Sequence, residues 1–126
     1  MTERAAGTLP LVTGLRVVYF YVKDIERAKA FYRDVLGLTL EGDHDWVETT
    51  LPGGVRFALH LWHDGAAEPS SGGINVDFEV PDIDAAADRL RATGVEVGEI
   101  HRERYGSFFT FVDPEGYRLE LYQPPG

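Results

Sequence analysis

The chain contains an internal repeat, and this feature constrains its fold more than any other. Residues 18–28 match residues 76–86, at a spacing of 58 positions. The identical pairs are Val18/Val76, Phe20/Phe78, Val22/Val80, Asp24/Asp82, Ile25/Ile83 and Ala28/Ala86. Each copy continues to a glycine, Gly37 in the first and Gly94 in the second, where a helix is expected to end. The sequence therefore predicts two copies of one folding unit.

Each copy has the pattern of a strand, a helix and three further strands. Val18, Phe20 and Val22 alternate with less apolar neighbours, which is typical of a strand with one buried face. Asp24 and Asp82 stand where the strand turns into the helix and are expected to cap it. The apolar helix stripes are Ile25, Ala28, Phe31, Tyr32, Val35 and Leu36, and then Ile83, Ala86, Ala87 and Leu90. The further strands are predicted at 38–41, 46–51, 55–62, 95–101, 108–112 and 117–122.

The length of 126 residues suits one domain with one hydrophobic core. We expect this domain to cover residues 1–126, with module one at about 14–63 and module two at about 74–123. The stretch 64–73 is rich in Gly, Ala, Pro and Ser and is predicted to link them. The fold class predicted is α+β, built from two βαβββ modules.

Composition narrows the choice of partners and compartment. The net charge of −9, from 21 acidic and 12 basic residues, disfavours nucleic acid because its phosphates would be repelled. This charge either gives solubility alone or lines a cleft for a cationic ligand. No apolar run is long enough to span a membrane, and the first residues lack the pattern of a secretory signal. The absence of cysteine excludes disulfides and thiolate zinc sites and fits the cytoplasm.

Five segments carry a more specific signal, namely 21–28 (YVKDIERA), 31–38 (FYRDVLGL), 80–84 (VPDID), 105–106 (YG) and 113–121 (DPEGYRLEL). Through them the chain resembles the vicinal oxygen chelate superfamily, which includes glyoxalase I, bleomycin-resistance proteins, fosfomycin-resistance enzymes and extradiol dioxygenases. The resemblance spans roughly residues 14–123. It implies a mixed sheet that curls around a cleft, helices on the outer face, and a homodimer with clefts within or between chains. It does not imply one activity, because one fold hosts unrelated chemistries.

If the family fold holds, the alternation of each strand separates core residues from cleft residues. The first strand then turns Val17, Tyr19 and Tyr21 to the cleft, and its repeat turns Asn75, Asp77 and Glu79 there. The candidate ligand-binding residues are Tyr19, Tyr21, Trp46, His60, Trp62, Asp77, Glu79, Tyr105, Glu120 and Tyr122. Aromatic faces and carboxylates together suit a flat or cationic organic molecule.

Metal-dependent members of the family hold a divalent ion with two side chains from each module. Carried onto this sequence, the positions are Val17, Asn75, Glu120 and a residue near His60. Two alignments of the modules stay open, one matching Glu120 with His60 and the other with Ala58. Only His60 and Glu120 are good ligands, so no metal cofactor is expected, and a divalent metal on this incomplete pair remains the alternative. His44, His63 and His101 have no partner at a ligand-like spacing and are interpreted as surface residues.

Two functions follow. The first is a metal-independent binding protein of the bleomycin-resistance type, which sequesters an aromatic or cationic compound. The alternative is a metal-dependent lyase, isomerase or dioxygenase that uses His60 and Glu120. No nucleophile with an identifiable base and no phosphate-binding glycine loop is recognised, so catalytic residues are not assigned.

Overall fold

The structure, a computed structural model, describes residues 15–66, 68–69 and 76–126. The first module contains β1 (Val18–Val22), α1 (Ile25–Ala30), β2 (Glu41–Gly42), β3 (Trp46–Thr50) and β4 (Arg56–Leu61). α1 continues directly into one π-helical turn, Phe31–Val35. The strands form sheet one in the order β1-β4-β3-β2, in which β1 and β4 are parallel and the other neighbours antiparallel.

The second module repeats this plan. It contains β5 (Val76–Glu79), α2 (Ile83–Ala92), β6 (His101–Glu103), β7 (Gly106–Val112) and β8 (Arg118–Gln123). These strands form sheet two in the order β5-β8-β7-β6, with β5 and β8 parallel. The predicted pair of βαβββ modules is confirmed, and the strands form two separate four-stranded sheets that do not close into one.

The local signals in the sequence explain where the helices begin. The carboxylate of Asp24 accepts the backbone N–H of Arg27, and that of Asp82 accepts the backbone N–H of Ala85. Both caps satisfy a donor that the first helical turn leaves free. Gly37 and Gly94 follow the helical segments with φ of 79° and 86°, which glycine adopts without strain. The residue type at each end therefore sets the helix boundaries.

The two modules share one hydrophobic core, and it lies on the helix-packed faces of both sheets. Phe20 of β1 stacks on Tyr117 with ring centroids 4.2 Å apart. Phe57 of β4 meets Phe78 of β5 edge to face at 5.3 Å. Phe20 and Phe57 occupy buried alternate positions of β1 and β4, and Phe78 is half-buried on β5, so the other face of each sheet is left open.

A buried polar contact reinforces this shared core. The hydroxyl of Tyr32, in the π-helical turn, donates to the carboxylate of Asp113 at 2.6 Å. Asp113 also accepts the backbone N–H groups of Glu115 and Tyr117, each at 2.9 Å. Burial raises the pKa of Asp113, and it raises the pKa of Tyr32 well above its usual value. The contact joins the helical segment of module one to the β7–β8 turn of module two.

No helix within the described ranges combines the length and the apolar character that crossing a bilayer requires.

Candidate functional site

The open face of sheet one carries a continuous cluster of rings. Tyr19 lies 5.3 Å from Trp46 and 5.4 Å from Tyr21, measured between ring centroids. The imidazole of His60 lies 5.1 Å from Tyr21 and 5.3 Å from Trp46. His63 extends the cluster, 5.7 Å from both Tyr21 and His60. We call Tyr19, Tyr21, Trp46, His60 and His63 the ring cluster.

Strand register brings the ring cluster together. Tyr21 is paired with His60 across β1 and β4, and His60 is paired with Trp46 across β4 and β3. Tyr19 remains 42% exposed although it is large and aromatic, so the cluster offers apolar surface to solvent. A side-chain hydrogen bond with Tyr19 raises the pKa of the Tyr21 phenol. The Tyr21 phenol is therefore neutral near pH 7 and presents a polar edge beside its flat face.

One carboxylate is half-buried within this face. Glu48 accepts the indole N–H of Trp46 at 2.7 Å and two hydrogen bonds from the guanidinium of Arg56 at 2.6 Å. These contacts with Arg56 and then Trp46 hold the pKa of Glu48 below its usual value. A depression of about 630 Å³ lies beside Trp46 and Glu48, over β2 and β3. It adjoins the ring cluster and is of the size that small ligands occupy.

Trp62 follows the end of β4 and contacts Lys23 rather than the ring cluster. The ammonium of Lys23 lies 4.7 Å from the centroid of its indole, a cation–π geometry. The indole Nε1 is buried and has no hydrogen-bond partner among the described residues. Lys23 in turn forms an exposed ion pair with Glu68 at 2.9 Å.

The open face of sheet two is acidic. Asp77 and Glu120 are paired on the parallel strands β5 and β8, and Glu79 lies two pairs further along, opposite Tyr122. Burial raises the pKa of Glu120, and the hydrogen bond and the charge of Asp77 raise it further, against the opposing effect of Arg118 and His101. Glu120 therefore holds a proton more readily than an isolated glutamate does.

Rings border these carboxylates. Phe108 stacks with His101 at 5.2 Å and with Tyr105 at 6.1 Å. The hydroxyl of Tyr122 donates to the backbone carbonyl of Tyr105 at 2.6 Å, which joins the β6–β7 turn to β8. Tyr105 is itself 62% exposed. Sheet two thus presents carboxylates at its β5–β8 side and rings at its β6–β7 side.

The predicted site residues therefore divide between two surfaces. Tyr19, Tyr21, Trp46 and His60 lie together on sheet one, whereas Asp77, Glu79, Glu120, Tyr122 and Tyr105 lie on sheet two. The sheets meet through their opposite, helix-packed faces. Each open face therefore forms one wall of a site.

Strand register also decides between the two alignments of the modules. Tyr19, the repeat counterpart of Asp77, is paired with Ala58, whereas Asp77 is paired with Glu120. Ala58 is therefore the counterpart of Glu120, and His60 is the counterpart of Tyr122. The pairing with the next strand agrees with this assignment. Ala58 is paired with Glu48 of β3, and Glu120 is paired with Thr110 of β7, so Glu48 and Thr110 are counterparts as well.

The residues present do not fit the four-ligand metal site of the family. Val17 and Ala58 have aliphatic side chains, Asn75 lies outside the described residues, and Glu120 alone is a strong ligand. Nowhere in the described part of the chain do three histidine, aspartate, glutamate or cysteine side chains converge as a metal site would require. No step through a metal is derived for this site.

Comparison with known proteins places this geometry in a family. The sequence model of the Glyoxalase/Bleomycin resistance protein/Dioxygenase superfamily matches residues 14–121. The chain belongs to this superfamily. The resemblance inferred from its motifs is thereby confirmed.

Relatives within the superfamily differ in what they do. TnmS3, described as an antibiotic-binding protein from Streptomyces sp. CB03234, is 26% identical with a TM-score of 0.77, and the match covers 92% of this chain and 99% of that one. An ethylmalonyl-CoA/methylmalonyl-CoA epimerase of Cereibacter sphaeroides is 31% identical over 90% of this chain and 99% of its own length. The uncharacterized protein YaeR of Escherichia coli is 31% identical over 79% of this chain and 88% of its own.

Sequence reasoning missed four residues of these faces. His63 is exposed, as expected from the sequence, but its spacing does not show that it lies beside His60. His101 is exposed as well, and the sequence does not show that it stacks on Phe108. The alternation of strand residues does predict the positions of Glu48 and Arg56. Glu48 lies on the same face of β3 as Trp46, and Arg56 lies on the same face of β4 as His60. This is the face expected to line the cleft.

Proposed function

We propose that this protein binds a flat, cationic organic molecule without a metal, as a sequestering protein does. The observation that carries the proposal is the ring cluster, which keeps aromatic surface open to solvent on sheet one. Tyrosine, tryptophan and imidazole faces attract flat molecules by stacking and cations by the cation–π effect.

The second part of the proposal concerns charge. Glu48 is already neutralised by Arg56, so sheet one offers a ligand rings rather than a free carboxylate. Asp77, Glu79 and Glu120 offer negative charge on sheet two. We infer that sheet one binds the aromatic part of the ligand and sheet two its positive charge, in agreement with the net charge of −9.

The third part concerns assembly. The open faces lie on the sides of the two sheets that do not meet within the chain. We therefore propose a homodimer in which sheet one of one copy faces sheet two of its partner and forms the cleft. A C2 arrangement of this kind makes two equivalent clefts. The cytoplasm is the proposed compartment, which a chain with no cysteine suits.

The comparison with TnmS3 supports binding without chemistry, since that protein is described by what it binds. The alternative, a metal-dependent enzyme using His60 and Glu120, has weaker support because strand register makes His60 the counterpart of Tyr122. Catalysis is not part of the proposal.

Fluorescence titration with two flat probes tests this function. The cation proflavine is expected to bind, and anthraquinone-2-sulfonate, a flat anion, is expected to bind much more weakly. Trp46→Ala should weaken proflavine binding by about tenfold, the order of magnitude of one lost stacking contact. Asp88→Ala is the control, because Asp88 is 82% exposed on α2, the helix that packs on the side of sheet two opposite its open face. Equal affinity for the two probes, or no effect of Trp46→Ala, contradicts the proposal.

A further inference from the structure

The Glu48 carboxylate occupies an unusual place for a charge on an aromatic surface. Its side chain and that of Arg56 are each 32% exposed, so the ion pair is half-buried within the open face. Arg56 donates to both oxygens of Glu48 at 2.6 Å. Charge-assisted hydrogen bonds of this kind are short and directional and fix the orientation of the carboxylate.

The fixed carboxylate in turn holds an aromatic ring. Its Oε1 accepts the indole N–H of Trp46 at 2.7 Å from two residues along the same strand. On its other sides the Trp46 ring contacts Tyr19 at 5.3 Å, tilted by 56°, and His60 at 5.3 Å, tilted by 76°. A side chain with contacts at its polar atom and its ring edges has lost its alternative rotamers before any ligand arrives.

We propose that Glu48 is a positioning residue that fixes the Trp46 indole, so that the ring cluster is preorganised for a flat ligand. Arg56 supports it by orienting the carboxylate. Glu48 itself need not touch the ligand. The inference rests on the proposed function for its effect on affinity, but the positioning of Trp46 stands independently of any ligand.

The first measurement therefore uses the ligand-free protein. Trp46 and Trp62 are the two tryptophans of the chain, so a ¹H–¹⁵N spectrum contains two indole signals, which Trp62→Phe assigns. The Trp46 indole proton is expected downfield and slow to exchange with solvent in wild-type protein. Glu48→Ala should move it upfield and speed its exchange, whereas Glu48→Gln, which keeps an acceptor oxygen, should preserve most of the shift. An unchanged Trp46 signal in Glu48→Ala overturns the proposal.

The second measurement is proflavine affinity. Glu48→Ala should lower it about fivefold, as expected when one large side chain must be ordered on binding. Glu48→Gln should stay within about twofold of wild type, because position rather than charge is preserved. Equal losses of affinity in Glu48→Ala and Glu48→Gln would show that the charge of Glu48 determines affinity. This result would overturn the proposed positioning role.

A matched control separates this effect from the loss of an ion pair in general. Arg102 and Asp84 form an exposed pair, also at 2.6 Å, between β6 and α2. Asp84→Asn should change neither the Trp46 signal nor the affinity. If wild-type protein fails to bind proflavine, the proposed function fails while the indole signal still decides the role of Glu48.

Discussion

At the scale of single residues, a buried carboxylate joins the two modules, and a second carboxylate makes stability depend on pH. Asp113 accepts three hydrogen bonds in a nearly dry environment, including one from Tyr32 across the module boundary. Removing one hydrogen-bond donor from a buried carboxylate lowers the free energy of unfolding. The pair therefore stabilises the relative placement of the two modules.

Tyr32→Phe tests that placement. The substitution keeps the ring but removes the donor to Asp113, and we expect a loss of about 1–3 kcal/mol in the free energy of unfolding. Urea denaturation measures it. Tyr105→Phe, at an exposed tyrosine, should change stability by less than about 0.5 kcal/mol. Equal effects of the two substitutions would show that the Tyr32 contact contributes nothing.

Glu120 gives a pH-dependent prediction. Its pKa is raised in the folded protein, so the folded state binds the proton more tightly, and stability falls as pH rises from the ordinary glutamate pKa through the raised one. Glu120→Gln removes this penalty. The variant should be more stable than wild type at pH 7, and the difference should shrink below about pH 4, near the pKa of an unfolded glutamate.

Thermal melts across that pH range, with Glu99→Gln as an exposed control, measure the effect. A variant that is less stable than wild type at pH 7 contradicts the assigned direction of the pKa shift.

At the scale of elements, much of the fold was predictable. The periodicity of apolar residues indicated β1 and α2, and the cap residues marked where both helices begin. β2 and β6 were displaced from the predicted 38–41 and 95–101, because edge strands are fixed by pairing rather than by their own apolar pattern. The π-helical turn was not predicted, since the apolar spacing around Phe31 fits an ordinary helix equally well.

The β6–β7 turn yields a prediction of its own. Gly106 has φ of 140°, and an added Cβ would lie 2.5 Å from a ring carbon of Tyr122 and 2.7 Å from the carbonyl of Gln123. Gly53, at φ of 99°, has open space around it. Gly53→Ala should lower the free energy of unfolding by about 1–3 kcal/mol, because alanine is strained at this backbone conformation. Gly106→Ala should lower it by about 1–3 kcal/mol more, because the added methyl group also clashes with its neighbours. Urea denaturation measures the loss of unfolding free energy in both variants. Similar losses would show that the Tyr122 ring moves away from the added methyl group at little cost.

At the scale of the whole molecule, the candidate site was only partly predictable. Alternation placed Tyr19, Asp77 and Glu120 on the faces opposite the core, because the strand period is two. Alternation cannot tell how two sheets are arranged in space, and in this chain they meet through their helix-packed faces. It also could not choose between Ala58 and His60 as the counterpart of Glu120, since both lie on one face of β4 and only strand pairing distinguishes them.

The central claim is that one ligand contacts the ring cluster of one copy and the carboxylates of another. It is tested by mixing two defective variants, Trp46→Ala and the double variant Asp77→Asn/Glu120→Gln, unfolding them and refolding them together. Each mixed dimer contains one cleft with both walls intact, so about a quarter of all clefts should regain wild-type affinity for proflavine. A calorimetric titration of the mixture should show that high-affinity class, which neither variant shows alone. A mixture that titrates as the sum of its two weak components would contradict the account.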